Sequence, residues 1–148
     1  NRMVTDMREE IRVGDLTSRF LVEGAESGGT VAVFEFDVPV DAGVPFPHSH
    51  DGYEETIYGL EGVLTWTIDG TPVEVGPGEA VCIPRGAVHH FANKGDGDAR
   101  ALAIVTPGVL GPDYFWELAT VADAAAGGPP DPAAIADVMR RHGLTPAS

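Results

Sequence analysis

Residues 43–62 read GVPFPHSHDGYEETIYGLEG and residues 78–93 read GEAVCIPRGAVHHFAN. Within the first stretch, Pro45-Phe46-Pro47-His48-Ser49-His50 is an extended, proline-bounded segment. Histidines at i and i+2 of an extended chain project from one face, so both imidazoles can reach a point about 2 Å from each ring nitrogen. A His-x-His pair alone fits a structural pair of histidines as well as a metal site. Glu54 and Glu55 follow closely and offer a carboxylate, the hard anionic ligand that iron, manganese and related divalent ions accept readily. The second stretch adds His89 and His90 on another strand.

Outward from these stretches, residues from about Ile11 to Thr106 alternate in the manner of strands. β-Branched and aromatic enrichment predicts strands over Thr17–Val22, Thr30–Val38, Thr56–Leu60, Val63–Ile68, Val73–Val75, Ala80–Ile83, His89–Ala92 and Ala101–Val105. Turn signals separate them, at Gly28-Gly29, Asp41-Ala42-Gly43, Asp69-Gly70, Gly76-Pro77-Gly78 and Lys94-Gly95-Asp96-Gly97. Asp69-Gly70 is the strongest hairpin signal, because that pair tolerates the positive φ of a tight primed turn. Short strands at this spacing imply an antiparallel sandwich or barrel.

After Pro107 the texture changes. Asp113–Thr120 carries Tyr114, Phe115, Trp116 and Leu118 and reads as a short helix packed on the barrel, with a lid over its mouth as the alternative. Ala124–Pro130 is a loop. A second helix starts with Asp131 as N-cap and Pro132 at the first helical position, runs through Ile135, Val138 and Met139, and stops at Gly143. Arg140, Arg141 and His142 complement the dipole of its last turn. Residues beyond Gly143 read as a frayed tail.

With 148 residues, 43% of them hydrophobic, 19 glycines and 12 prolines, the chain has the composition of one globular domain rich in turns. The expected division is a barrel over residues 1–108 and a helical extension over 109–148 that packs on it and is not an independent domain. The formal net charge of −14 repels phosphate backbones and anionic membranes, so neither nucleic acid nor membrane is an expected partner. The single cysteine, Cys82, has no partner for a disulfide and sits in an apolar strand, where inert packing is expected. With no signal-like or membrane-spanning apolar run, a cytoplasmic location is the expectation. Gly-x-Ser-x-Gly and phosphate-cradling loops do not occur.

The two opening stretches resemble the paired motifs of the cupin family, Gly-x5-His-x-His-x3-4-Glu-x6-Gly followed by Gly-x5-Pro-x-Gly-x2-His-x3-Asn. His48, His50, Glu55 and Gly62 keep the first spacing, and Gly78, Pro84, Gly86, His89 and Asn93 keep the second. Gly43 stands one residue too close to His48; as a turn glycine it should shape the loop and leave the ligands intact. The resemblance covers roughly Asp41 to Asn93. It implies an all-β fold, an antiparallel double-stranded β-helix or jelly-roll barrel, with short C-terminal helices. It implies one divalent metal ion (Fe, Mn, Ni or Zn) held by His48, His50, Glu55 and His89. Glu55 is preferred to Glu54 by its distance from Gly62, and strand parity turns Glu54 and His90 the other way. Asn93 is expected to brace a turn.

The family includes dioxygenases, oxalate-degrading enzymes, isomerases, cyclases and binding proteins, and the motif does not choose among them. Parity places Phe46, Ile57 and Phe91 in the pocket lining near the metal, while Phe34, Phe36, Tyr58 and Trp66 fill either barrel face. An apolar, aromatic wall with few cations suits a small oxygen-rich substrate, aromatic or polyketide-like, better than a phosphosugar. The expectation is a metal-dependent oxidoreductase, a dioxygenase, with Glu55 as ligand and proton acceptor and Tyr53 or Glu54 nearby. An oxygen-independent isomerase, lyase or cyclase and a non-enzymatic binding protein are the alternatives. The resemblance also favours a homodimer, with weak support from the apolar Phe20, Leu21 and Val22.

Overall fold

The computed structural model describes residues 9–147. Two antiparallel sheets face each other. One runs in the order β1 (Ile11–Val13), β2 (Leu16–Val22), β3 (Ala32–Val38), β10 (Ala99–Thr106), β5 (Glu54–Glu61), β8 (Ala80–Ile83). The other runs β11 (Leu144–Pro146), β4 (Gly43–His50), β9 (His89–Ala92), β6 (Leu64–Ile68), β7 (Thr71–Val75). From β3 to β10 the chain passes from sheet to sheet at every step except the β6–β7 hairpin, which wraps it into the expected double-stranded β-helix.

Alternation does what the sequence requires of it. In β3, Ala32, Phe34, Phe36 and Val38 point inward while Val33, Glu35 and Asp37 point out. β10 answers with small residues: Ala101 lies opposite Phe36 and Ala103 opposite Phe34, so the rings have room to tilt against each other 6.0 Å apart. On the outer face, cross-strand pairing gathers the arginines onto carboxylates. Arg19 meets Asp37 at 2.8 Å and Glu35 at 3.1 Å, and Arg100 meets Asp37 at 3.0 Å.

The turns follow their residues. Asp69 (φ 48°) and Gly70 (φ 82°) make the β6–β7 hairpin. Asn93 is fully buried; its Nδ2 donates to the Val38 and Gly97 carbonyls, both at 2.9 Å, and its Oδ1 accepts from the Gly95 amide at 3.0 Å. Gly43 departs from the expectation of a turn glycine. It opens β4, and a Cβ there would lie 2.5 Å from the Phe91 carbonyl oxygen, so glycine is needed for close approach to β9.

At the C-terminal end, α1 (Pro112–Ala124) is longer than the expected Asp113–Thr120, and α2 (Pro132–Arg141) is capped by Asp131, which accepts from the Ala133 amide at 3.1 Å. Arg141 does more than complement the dipole: it pairs with Asp137 and, at 2.6 Å, with Glu117 of α1. Tyr114, Ile135, Val138 and Met139 join the same apolar core as the barrel strands. Residues beyond Gly143 do not fray. Leu144–Pro146 form β11, which pairs with β4, and Leu144 is buried. Cys82 does not pack inside its strand either, because the alternation of β8 turns it outward and exposed.

Candidate metal centre

Three strands supply the cluster. β4 carries His48 and His50, β9 lies beside it and places His89 opposite His48, and β5 of the facing sheet brings Glu55. One ring nitrogen from each of His48, His50 and His89 lies within 4.8 Å of the other two, and all three side chains are buried. Glu55 Oε1 is 3.7 Å from His50 Nδ1 and 3.9 Å from His89 Nε2. The four residues expected from the motif are therefore brought together. Glu54 is not among them: it points out and pairs with Arg85.

Second contacts fix the imidazole tautomers. His48 Nδ1 lies 2.8 Å from the Phe46 carbonyl, and His89 Nδ1 lies 3.0 Å from the Ala87 carbonyl. A carbonyl only accepts, so each ring carries its proton at Nδ1 and keeps the Nε2 lone pair free, the arrangement that metal-binding histidines use. His50 stacks on the Tyr53 ring at 4.4 Å, and its Nδ1 is buried without a hydrogen-bond partner within the described residues.

Burial governs the charge state. It pulls His48 down to about 4 and His50 to about 2, with the neighbouring imidazoles adding to the effect, and it lowers His89 despite the Ala87 hydrogen bond. The rings are neutral at physiological pH, as ligands must be. Burial pushes the Glu55 carboxyl up to about 7 and raises the Tyr53 and Tyr114 phenols, which stay protonated. Neutral rings with free lone pairs, an unpaired buried nitrogen and a carboxylate short of counter-charge fit a divalent cation.

The cluster opens into a cavity of about 1150 Å³. Phe46 and Phe91 line it, as do Phe34, Phe36, Trp66 and Phe115. Trp66 stacks on Phe91 at 4.4 Å. Ile57 does not reach the wall; it is fully buried in the core behind Glu55, since parity gives a side chain's facing but not its depth. The wall also includes residues that motif spacing did not single out, from β1 and β2 and from both helices, among them Tyr114, Leu118, Ile135 and Met139. Tyr114 and Phe115 are thus packed core residues and cavity wall at once, while Trp116 is exposed.

Two facing antiparallel sheets around a His-His-Glu-His cluster define a cupin. Residues 34–105 match the cupin domain model, and the chain belongs to the cupin superfamily. It is 24% identical over 106 residues to quercetin 2,3-dioxygenase of Bacillus subtilis, an alignment covering 72% of this chain. The chain spans only 31% of that relative's length. Among solved structures it is similar to the polyketide cyclase RemF from Streptomyces resistomycificus, with 27% identity, a TM-score of 0.58, and coverage of 80% of this chain and 97% of that one. A sugar phosphate isomerase of the cupin superfamily from Silicibacter pomeroyi matches at 25% identity and a TM-score of 0.55, over 64% of this chain and 60% of that one.

Proposed function

We propose that the chain is a metal-dependent dioxygenase acting on a small, oxygen-rich aromatic or polyketide-like molecule. The observation that carries this is the placement of the His48, His50, Glu55 and His89 cluster at the wall of a large aromatic cavity. A divalent ion held by these four residues supplies Lewis acidity toward paired substrate oxygens and the redox capacity an oxygenase needs. The chain supplies the rest. Phe46, Phe91 and Trp66 offer flat apolar surface on which a ring system lies. Glu55 is the acidic group inside the imidazole cluster, placed to take the proton of a substrate hydroxyl as it enters.

Charge bears on the substrate class. Arg12 is the one Lys or Arg among the described lining residues, set against Asp15, Asp41 and Asp123. A phosphosugar would meet net repulsion there, so the reaction of the Silicibacter isomerase is not carried over. A second reading, an oxygen-independent cyclase or related lyase or isomerase, draws on RemF, which is matched over nearly its whole length.

The test is turnover of a panel of flavonols, catechols and diketones by protein loaded with Fe(II), Mn(II) or Ni(II), followed by oxygen electrode and absorbance. Oxygen uptake matched to substrate loss is the expected result. Conversion that proceeds equally under strict anaerobiosis favours the second reading, and no conversion with any metal contradicts both.

A further inference from the structure

The cavity wall contributed by the C-terminal extension is apolar except at Tyr114 and Asp123. Tyr114, in the first turn of α1, lines the cavity and is 5% exposed. Its ring is held edge-on by Phe115 at 5.1 Å and by His142 at 5.4 Å, and His142 is itself tied to Glu117 at 2.8 Å. The ring is therefore fixed. Its hydroxyl makes no hydrogen bond within the described residues. Its oxygen keeps accessible surface, so it is open to a partner from outside the protein. Tyr114 lines the same cavity as Glu55 and the imidazole cluster. Four other unpaired groups, Ser18 Oγ, His50 Nδ1, Tyr53 Oη and Trp66 Nε1, have no accessible surface.

We propose that the Tyr114 hydroxyl donates a hydrogen bond to an oxygen of the molecule held in the cavity, and so selects ligands that carry a carbonyl or phenolic oxygen toward α1. The assignment rests on the cavity being the ligand chamber, as proposed above. It explains why a helix that otherwise buries only apolar side chains carries a phenol at this place. A neutral donor of this kind discriminates, because a ligand lacking the oxygen leaves the hydroxyl unpaired against it.

The experiment is an anaerobic titration of quercetin into the full chain loaded with Ni(II), read by the shift of the flavonol absorbance, for wild type and Tyr114→Phe. Metal content and melting temperature are measured on the same samples. The expected result is quercetin binding about 3- to 10-fold weaker in Tyr114→Phe, the loss of one neutral hydrogen bond, with metal content unchanged and melting temperature equal or higher. Equal binding by the two proteins overturns the assignment alone. Lower metal content or a lower melting temperature in Tyr114→Phe also overturns it, since the hydroxyl would then have a structural partner. No quercetin binding by the wild type overturns the ligand class proposed above and this inference with it.

Discussion

Glu54 and Glu55 are adjacent in sequence and opposite in consequence. Strand parity turns one to solvent and Arg85 and the other to the imidazoles of His50 and His89. Glu54→Gln is expected to leave metal content within about twofold of wild type, because a pair this exposed contributes little. Glu55→Gln removes the only anionic ligand and is expected to lower metal content several-fold, as elemental analysis would show. Asn93 carries a different load: three backbone partners depend on its buried amide. Asn93→Ala is expected to cost about 2–4 kcal/mol in urea unfolding, with the site residues untouched. Both placements were legible in the sequence, Glu55 beside the imidazoles through its spacing to Gly62 and Asn93 through its place after His89. Ile57 shows the limit of such reasoning: it shares the facing of Glu55, but the bulk around it seals it off from the cavity.

At the scale of elements, β11 is what the sequence concealed. Leu144-Thr145-Pro146 has no alternation long enough to mark a strand, and its pairing partner lies far away in the chain. Yet it pairs with His50, Ser49 and His48, while the Asp51 amide donates to the Gly143 carbonyl, the Thr145 hydroxyl donates to Asp51 at 2.6 Å, and the Ala147 amide donates to the Pro47 carbonyl. On its other side β4 meets β9 with a break in register between Val44 and His48. The histidine segment is therefore braced on both edges only when the C-terminal strand is present. Removing residues 144–148 is expected to weaken Co(II) binding by about tenfold or more and to lower the melting temperature. Unchanged affinity would show that β9 alone sets the ligand spacing. Thr145→Ala, which spares the buried Leu144, should show a smaller loss of the same kind.

The outer face of β2, β3 and β10 gives a pH prediction. The hydrogen bond from Arg19, helped by Arg100, holds the Asp37 carboxyl below its usual 3.8. A depressed carboxyl contributes stability above its unfolded pKa and loses it as pH falls through the folded value. Wild type should thus exceed Asp37→Asn in stability by a constant margin from neutrality down to about pH 5, and the margin should close below about 3.8. Chemical denaturation across that range measures it. A margin that widened in acid would reverse the sign of the assignment.

For the whole molecule, the acidic balance of the chain reaches into its aromatic cavity through Asp15, Asp41 and Asp123. Most of the described charged side chains lie outside the cavity, which Arg12, Asp15, Asp41, Glu55 and Asp123 also line, and among the described residues no helix is long and apolar enough to cross a membrane. The barrel was legible because period-2 alternation and turn residues are local signals. The chamber was less so, because its walls join β1 and β2 to two helices more than 90 residues away, a juxtaposition that only packing produces. Motif spacing picked out the four clustered residues proposed as metal ligands; it did not single out Tyr114, whose only sequence signal was an aromatic cluster after Pro107. The account stands on one ion bound by His48, His50, Glu55 and His89. The direct measurement is metal content by mass spectrometry after metal-free protein is reloaded with Mn(II), Fe(II), Ni(II) or Zn(II) and desalted, alongside His48→Ala and His89→Ala with folding checked by circular dichroism. The account predicts close to one ion per wild-type chain for at least one metal and less than about a tenth of that in either folded variant. Equal loading in wild type and variants, or none in any folded protein, would contradict it.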